Sequence, residues 1–241
     1  MTETLVLTGE RTAPGIWHEN YWFARHEAAY QWVTTQLTIE GKVLDAGCGE
    51  GYGAELLRLA GADSVVGLDY EHTTLRHVRR AYPQANVVRG NLVQTPFAQR
   101  TFGLLTSMQT IEHLWEQPRF VAECARIVEP GGTVVLSTPN RLTFPSGNWY
   151  HTRELTAAEF VELVEPYFEI TQALGLHHGT RLAAWEAQYG SCVDAQLASG
   201  YDEWNDELVK LVKTTGHGDF EIRPDDLDGS LDLILVARPR P

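Results

Sequence analysis

The chain is predicted to fold as an open, doubly wound α/β sheet, and three features say so. The first is the stretch Val43-Leu44-Asp45-Ala46-Gly47-Cys48-Gly49-Glu50-Gly51-Tyr52-Gly53. There an apolar run ends in an acid, glycines follow at alternate positions, and the helical pattern Ala54 to Leu59 comes next. That is a strand, a tight turn and a helix, with glycine where the backbone takes positive φ or lets a ligand approach. The second is a further series of short apolar runs separated by helical patterns. The third is Asp69, which ends the next run twenty residues beyond Gly49. In such sheets ligands bind outside the carboxyl ends of the strands, where that turn and that acid both lie.

Residues 1–16 carry Thr, Gly and Pro with little periodicity, which reads as a mobile arm. The aromatic segment Trp17 to Glu27 leads into a helix running to about Gln36. Its rings either staple that helix to the sheet or form a lid, with Tyr21, Arg25 or His26 reaching a ligand. Strands are expected at Lys42–Leu44, Ser64–Leu68, Asn86–Arg89, Phe102–Ser107, Thr133–Ser137, Phe168–Ala173 and Leu231–Ala237. Helices are expected at Thr73–Ala81 and Phe120–Val128, and at Ala157–Pro166, where Thr156 and Glu159 have capping-box spacing. A long loop leaves the fifth strand through Thr138-Pro139-Asn140-Arg141, Pro145, Gly147 and Trp149. Between the last two strands, about 177–218 is an insertion with helical stretches near Leu182–Tyr189 and Trp204–Lys213. It either walls an acceptor site or serves to form a homodimer.

The spacing narrows the ligand. A dinucleotide loop would need glycine at position 52, which is Tyr52, and a phosphate loop would need a lysine that this turn lacks. Asp45 would repel a pyrophosphate but can hold an ammonium, directly or through water. Asp69 is placed to accept both hydroxyls of a ribose. A ribose, a cationic tail and no phosphate together describe S-adenosylmethionine.

From about Gly41 to Glu169 the chain resembles the class I (Rossmann-like) S-adenosylmethionine-dependent methyltransferases. The resemblance is carried by Asp45-x-Gly47-x-Gly49-x-Gly51, Asp69, Gly90-Asn91, Ile111-Glu112-His113 and Glu129-Pro130-Gly131-Gly132. It implies a seven-stranded sheet, mostly parallel with an antiparallel last strand. It divides the chain into an arm and lid helix, 1–37, and a methyltransferase domain, 38–241. It also implies cofactor contacts from Asp45, Gly47, Cys48, Gly49, Gly51, Asp69, Tyr70, Asn91, Leu92, Met108 and Gln109. Two positions depart from the family: Asn91 stands where an acid usually contacts the adenine amino group, and Gly103 where an acid is frequent. The side-chain carbonyl of Asn91 can still accept that hydrogen bond.

Methyl transfer from a sulfonium is an in-line displacement for which the protein supplies alignment and a dry pocket. A hydroxyl acceptor must also lose a proton, a task suited to histidine. His113, on the ligand side of the fourth strand, and His151, in the loop after the fifth, are the candidate bases. His113 is preferred because it stands close to Met108 and Gln109; either ring can instead be a loop histidine bonded to backbone. Arg153 and Glu154 are candidate acceptor contacts. The segments Asn20-Tyr21-Trp22-Phe23, Thr138-Pro139-Asn140-Arg141 and His151-Thr152-Arg153-Glu154 resemble actinobacterial methyltransferases acting on sugars, the mycofactocin oligosaccharide methyltransferases in particular. A phenolic, quinone or polyketide acceptor is the alternative, and a non-catalytic cofactor-binding module is the alternative of another class.

With 19 basic and 32 acidic residues and a net charge of −13, the 241-residue chain lacks the basic stripe that nucleic acid or an anionic membrane needs. It shows no membrane-length apolar run and no basic start followed by an apolar core, which predicts a cytoplasmic protein. Cys48, Cys124 and Cys192 are too scattered for a disulfide framework or zinc site, and no metal is assigned, the pair His177-His178 included.

Overall fold

Each apolar run followed by a helical pattern becomes a strand whose helix carries the chain back for the next parallel strand. A computed structural model describes residues 12–145 and 148–240. Its helices are α1 (Asn20–Gln36), α2 (Tyr52–Leu59), α3 (His72–Ala81), α4 (Gln117–Ile127), α5 (Ala157–Val164), α6 (Thr180–Tyr189), α7 (Cys192–Leu197) and α8 (Asp206–Thr214). Its strands are β1 (Lys42–Ala46), β2 (Ser64–Asp69), β3 (Asn86–Arg89), β4 (Phe102–Ser107), β5 (Val128–Pro139), β6 (Phe168–His178), β7 (Phe220–Arg223) and β8 (Asp232–Pro239). The order across the sheet is β3-β2-β1-β4-β5-β8-β6-β7. The first five strands run parallel, and β8 is antiparallel to both β5 and β6.

The expected count of seven strands is therefore corrected to eight. The added strand β7 pairs antiparallel with Gly175–His178. Its four residues alternate Phe, Glu, Ile, Arg and only Phe220 is buried, so no apolar run marks it. β6 runs on through His178, five residues past the expected Ala173, so the expected start of the insertion is still strand, and its first helix runs from Thr180 to Tyr189. Residues 1–11 of the expected arm and Gly147 of the expected loop lie outside the described residues.

Successive side chains of a strand point to opposite faces, and the core divides accordingly. Val43, Leu104, Val135 and Ile234 pack on one side with α1, α2, α6, α7 and α8. Leu44, Leu105, Leu136 and Leu235 pack on the other with α4 and α5. The insertion thus adds a layer to one face: Leu208, Leu211 and Val212 of α8 join the α1 side, and the Asn20 side chain donates to the carbonyls of Val212 and Thr215 at 2.8 and 2.6 Å. Thr156 and Glu159 form the expected capping box at the start of α5.

Candidate active site

The turn between β1 and α2 folds sharply because Gly47, Gly49 and Gly51 all take positive φ, 82°, 45° and 84°. A Cβ on Gly47 would strike Thr110 and one on Gly51 would strike Val78, whereas one on Gly49 would meet nothing within 4 Å. Gly49 therefore faces open space, and its N–H donates to Asp69 Oδ2 at 3.1 Å. That space is a cavity of about 220 Å³ lined by Gly47, Cys48, Gly49, Asp69, Tyr70, Leu92, Met108 and Gln109 among others. Eight of the expected cofactor residues thus meet in one place.

The other three stand back. Gly51 caps the start of α2 rather than lining the cavity. Asn91 does not line it either: its Oδ1 accepts the Val93 N–H at 3.0 Å and is spent on the turn. Asp45 is fully buried behind Tyr30, whose hydroxyl donates to Oδ1 at 2.9 Å; Thr106 Oγ1 donates to the same oxygen at 3.0 Å. Oδ2 is buried with no hydrogen-bond partner among the described residues. Burial pushes the Asp45 carboxyl up to about 6, against the lowering effect of the two hydroxyls. An orphaned buried carboxylate oxygen and a glycine opening on empty space fit a ligand carrying positive charge and a ribose.

This pocket yields a pH prediction. Raised to about 6, Asp45 ionises only above that pH, and the ionised form attracts a cationic ligand. Affinity for S-adenosylmethionine should therefore fall as pH drops from 7.5 to 5. Asp45→Asn should flatten that profile in calorimetry, and a profile unchanged by the substitution would assign the pH dependence to another group.

A second, larger cavity of about 420 Å³ adjoins the first, and His26, Gln109, His113 and Tyr150 line both. Gln109 stands at the junction with φ 48°, a conformation uncommon outside glycine. The histidines expected as bases converge here, with ring centroids 5.0 Å apart and edge to face. Hydrogen bonds stitch the loop carrying His151 to the turn carrying His113: Thr152 N donates to the Glu112 carbonyl at 2.7 Å, and Gln117 Nε2 bridges the carbonyls of Ile111 and Arg153 at 3.0 and 2.8 Å. His151 Nδ1 lies 2.7 Å from Glu154 Oε1, and His113 Nδ1 lies 3.0 Å from the Tyr150 carbonyl. Glu112 is buried beneath them, and burial pushes its carboxyl up to about 8, Thr138 Oγ1 donating to it at 3.2 Å.

The side chains of the aromatic segment divide between the core and the larger cavity. Tyr21 is a staple, fully buried with its hydroxyl 2.7 Å from His178 Nε2. Trp22, Arg25 and His26 instead line the larger cavity. Arg25 forks onto Asp232 at 2.7 and 2.6 Å and lies over the rings of Trp22 and Phe144. Thr12, within the expected arm, lines both cavities. Arg153 is exposed and pairs with Glu159, away from the cavity, and Glu154 reaches it only through His151. Leu197 is the residue that the insertion adds to the lining.

Asp232, Tyr30, Phe144 and Tyr150 were not picked out from the sequence. Asp232 had a signal, an acid opening the otherwise apolar run Leu233 to Ala237. His178, Glu186 and Cys192 also group, but Glu186 lies 2.9 Å from Nδ1 whereas Cys192 lies 3.9 Å from Nε2, on opposite edges of the ring. The three cysteines are free and buried. Among the described residues no helix is long and apolar enough to cross a membrane.

A family of methyltransferase domains matches residues 44–136. Over 98% of its length the chain is 43% identical to a probable S-adenosylmethionine-dependent methyltransferase of Mycolicibacterium smegmatis, 96% of which it covers. Over 46% of its length it is 38% identical to half of a ubiquinone biosynthesis O-methyltransferase of Thiobacillus denitrificans. In fold it is similar to a crystal structure of an S-adenosylmethionine-dependent methyltransferase from Mesorhizobium loti, with a TM-score of 0.58 at 20% identity, covering 88% of this chain and 97% of that one.

Proposed function

The chain belongs to the S-adenosylmethionine-dependent methyltransferases, and we propose that it methylates a hydroxyl of a sugar or oligosaccharide, a mycofactocin-type glycan being one such acceptor. The observation that carries this reading is the shared wall of the two cavities, where His113 and Gln109 border cofactor space and acceptor space at once.

S-adenosylmethionine, when bound, supplies a methyl group on a positively charged sulfonium. Asp69 would hold the ribose, with Gly47, Cys48, Gly49, Tyr70 and Leu92 around the nucleoside and Met108 and Gln109 along the tail. Asp45 acts from behind Tyr30 by its charge. On the acceptor side, Trp22 and Phe144 exclude water and offer ring faces to sugar C–H surfaces, while Asn148, Asp232 and Arg25 offer donors and acceptors to hydroxyls. The Glu112, His113 and His151 cluster is where an acceptor hydroxyl gives up its proton. In that geometry His113 borders the cofactor cavity, and His151, with Glu154 behind it, completes the far side.

The name of the ubiquinone relative supports oxygen as the methylated atom and leaves a phenolic or quinol acceptor as the second reading. The test is a transfer assay with labelled methyl donor against unmethylated oligosaccharides and against catechols. Label on a sugar oxygen, located by NMR, is the expected result. Label on catechols alone would overturn the sugar acceptor while keeping the cofactor site.

A further inference from the structure

We propose that Glu112, His113 and His151 bind one divalent transition-metal cation, Mn²⁺, Fe²⁺ or Zn²⁺, in the larger cavity, where it coordinates hydroxyl oxygens of the acceptor. The role at the acceptor rests on reading that cavity as the acceptor pocket; the cation site itself stands on geometry. One ligand atom from each of the three residues lies within 4.8 Å of the other two, and Glu112 Oε1 is 3.9 Å from His113 Nε2. Metal–ligand bonds of about 2.0–2.2 Å place ligand atoms about 3–3.5 Å apart, a contraction that side-chain rotation supplies.

The surroundings orient all three groups. A carbonyl only accepts, so the contact with Tyr150 O puts the proton of His113 on Nδ1 and the lone pair on Nε2, the edge toward Glu112. Asn148 Oδ1 accepts the Tyr150 N–H at 3.0 Å, which turns its amide nitrogen toward His151 Nε2 at 3.1 Å. That contact puts the lone pair of His151 on Nε2 and its proton on Nδ1, which donates to Glu154. A carboxylate or carbonyl behind each imidazole is the outer arrangement that fixes metal-binding histidines. Thr138 holds Glu112 Oε2, so Oε1 is the oxygen turned toward His113. On binding, the cation displaces the Asn148 amide from His151.

Two imidazoles and one carboxylate suit first-row transition metals over Mg²⁺ or Ca²⁺, which take oxygen ligands, and three protein ligands leave positions open for the acceptor. Neighbouring hydroxyls of a sugar ring can fill two of them. A hydroxyl so coordinated loses its proton more readily, the proton passing to solvent, and the cation leaves the step unchanged in charge.

The test is Mn²⁺ binding to the chelator-stripped full chain, without acceptor, by electron paramagnetic resonance and calorimetry. Expected is one Mn²⁺ per chain, loss of that site in His113→Ala and in His151→Ala, and affinity 10–100-fold weaker in Glu154→Gln. Retained S-adenosylmethionine binding verifies that each variant is folded. No stoichiometric site at 1 mM Mn²⁺ (roughly the weak limit for extracellular ion sites), or a site indifferent to both histidine variants, would overturn the proposal. Cation binding without methylation of any sugar would sink the acceptor reading alone.

Discussion

Arg25→Ala should lower the free energy of unfolding by about 3–5 kcal/mol, the range for removing one partner of a buried ion pair. Arg25 and Asp232 are 4% and 3% exposed, so without the guanidinium the Asp232 carboxylate would be left buried and uncompensated. The loss extends beyond charge. The guanidinium donates to Asp232 through Nε and Nη2, donates to the Leu231 carbonyl at 2.7 Å, and lies over two aromatic rings. It thereby clamps α1 to the start of β8. Arg25→Lys should recover only part of the loss, because an ammonium cannot reproduce the fork. Urea unfolding at fixed pH measures both; a loss under 1 kcal/mol in the alanine variant would mean that the pair contributes no net clamp. The same variants should bind S-adenosylmethionine at 10 °C, since Arg25 lines the larger cavity and not the one that holds Gly49 and Asp69.

The sequence displayed the parallel half of the sheet plainly. β1 and β2 are short apolar runs closed by Gly or Asp, and the helices α2 and α3 that follow them bury one stripe each, so period and punctuation agree. What it hid depended on contacts between distant residues. The FEIR tetrapeptide of β7 becomes a strand only because Gly175–His178 offers it an edge. Asp45 was expected to hold the ammonium directly or through water because it precedes the glycines, but the hydroxyl of Tyr30, fifteen residues earlier, comes between and disfavours the direct contact. Asn91 kept the family position yet turned its oxygen onto Val93. The two histidines were legible as candidates because both follow strand ends on the ligand side. Their union was not, since it depends on Thr152 and Gln117 tying one loop to another.

That union sets the largest expected effect. His113→Ala and His151→Ala should each lower single-turnover methyl transfer by about 10²–10⁴-fold, the range for losing positioned help in removing the acceptor's proton, whether a ring takes that proton itself or holds a cation that promotes its release. Cofactor affinity should change little in His151→Ala, whose residue borders only the larger cavity, and somewhat more in His113→Ala, whose residue borders both. The double variant carries the decisive information. Groups that act as one unit are non-additive: once one is gone, removing the other costs little more. With ring centroids 5.0 Å apart and Glu112 beneath them, the two rings are expected to behave so, leaving the double variant within a few-fold of the worse single. If the two losses multiply instead, the rings act on separate events, His113 beside the cofactor and His151 on the acceptor. If His113→Ala alone is impaired, the base stands on the rigid turn after β4, as its preference in the sequence implies. If neither substitution matters, the acceptor must already be nucleophilic at neutral pH, and a sugar hydroxyl is not.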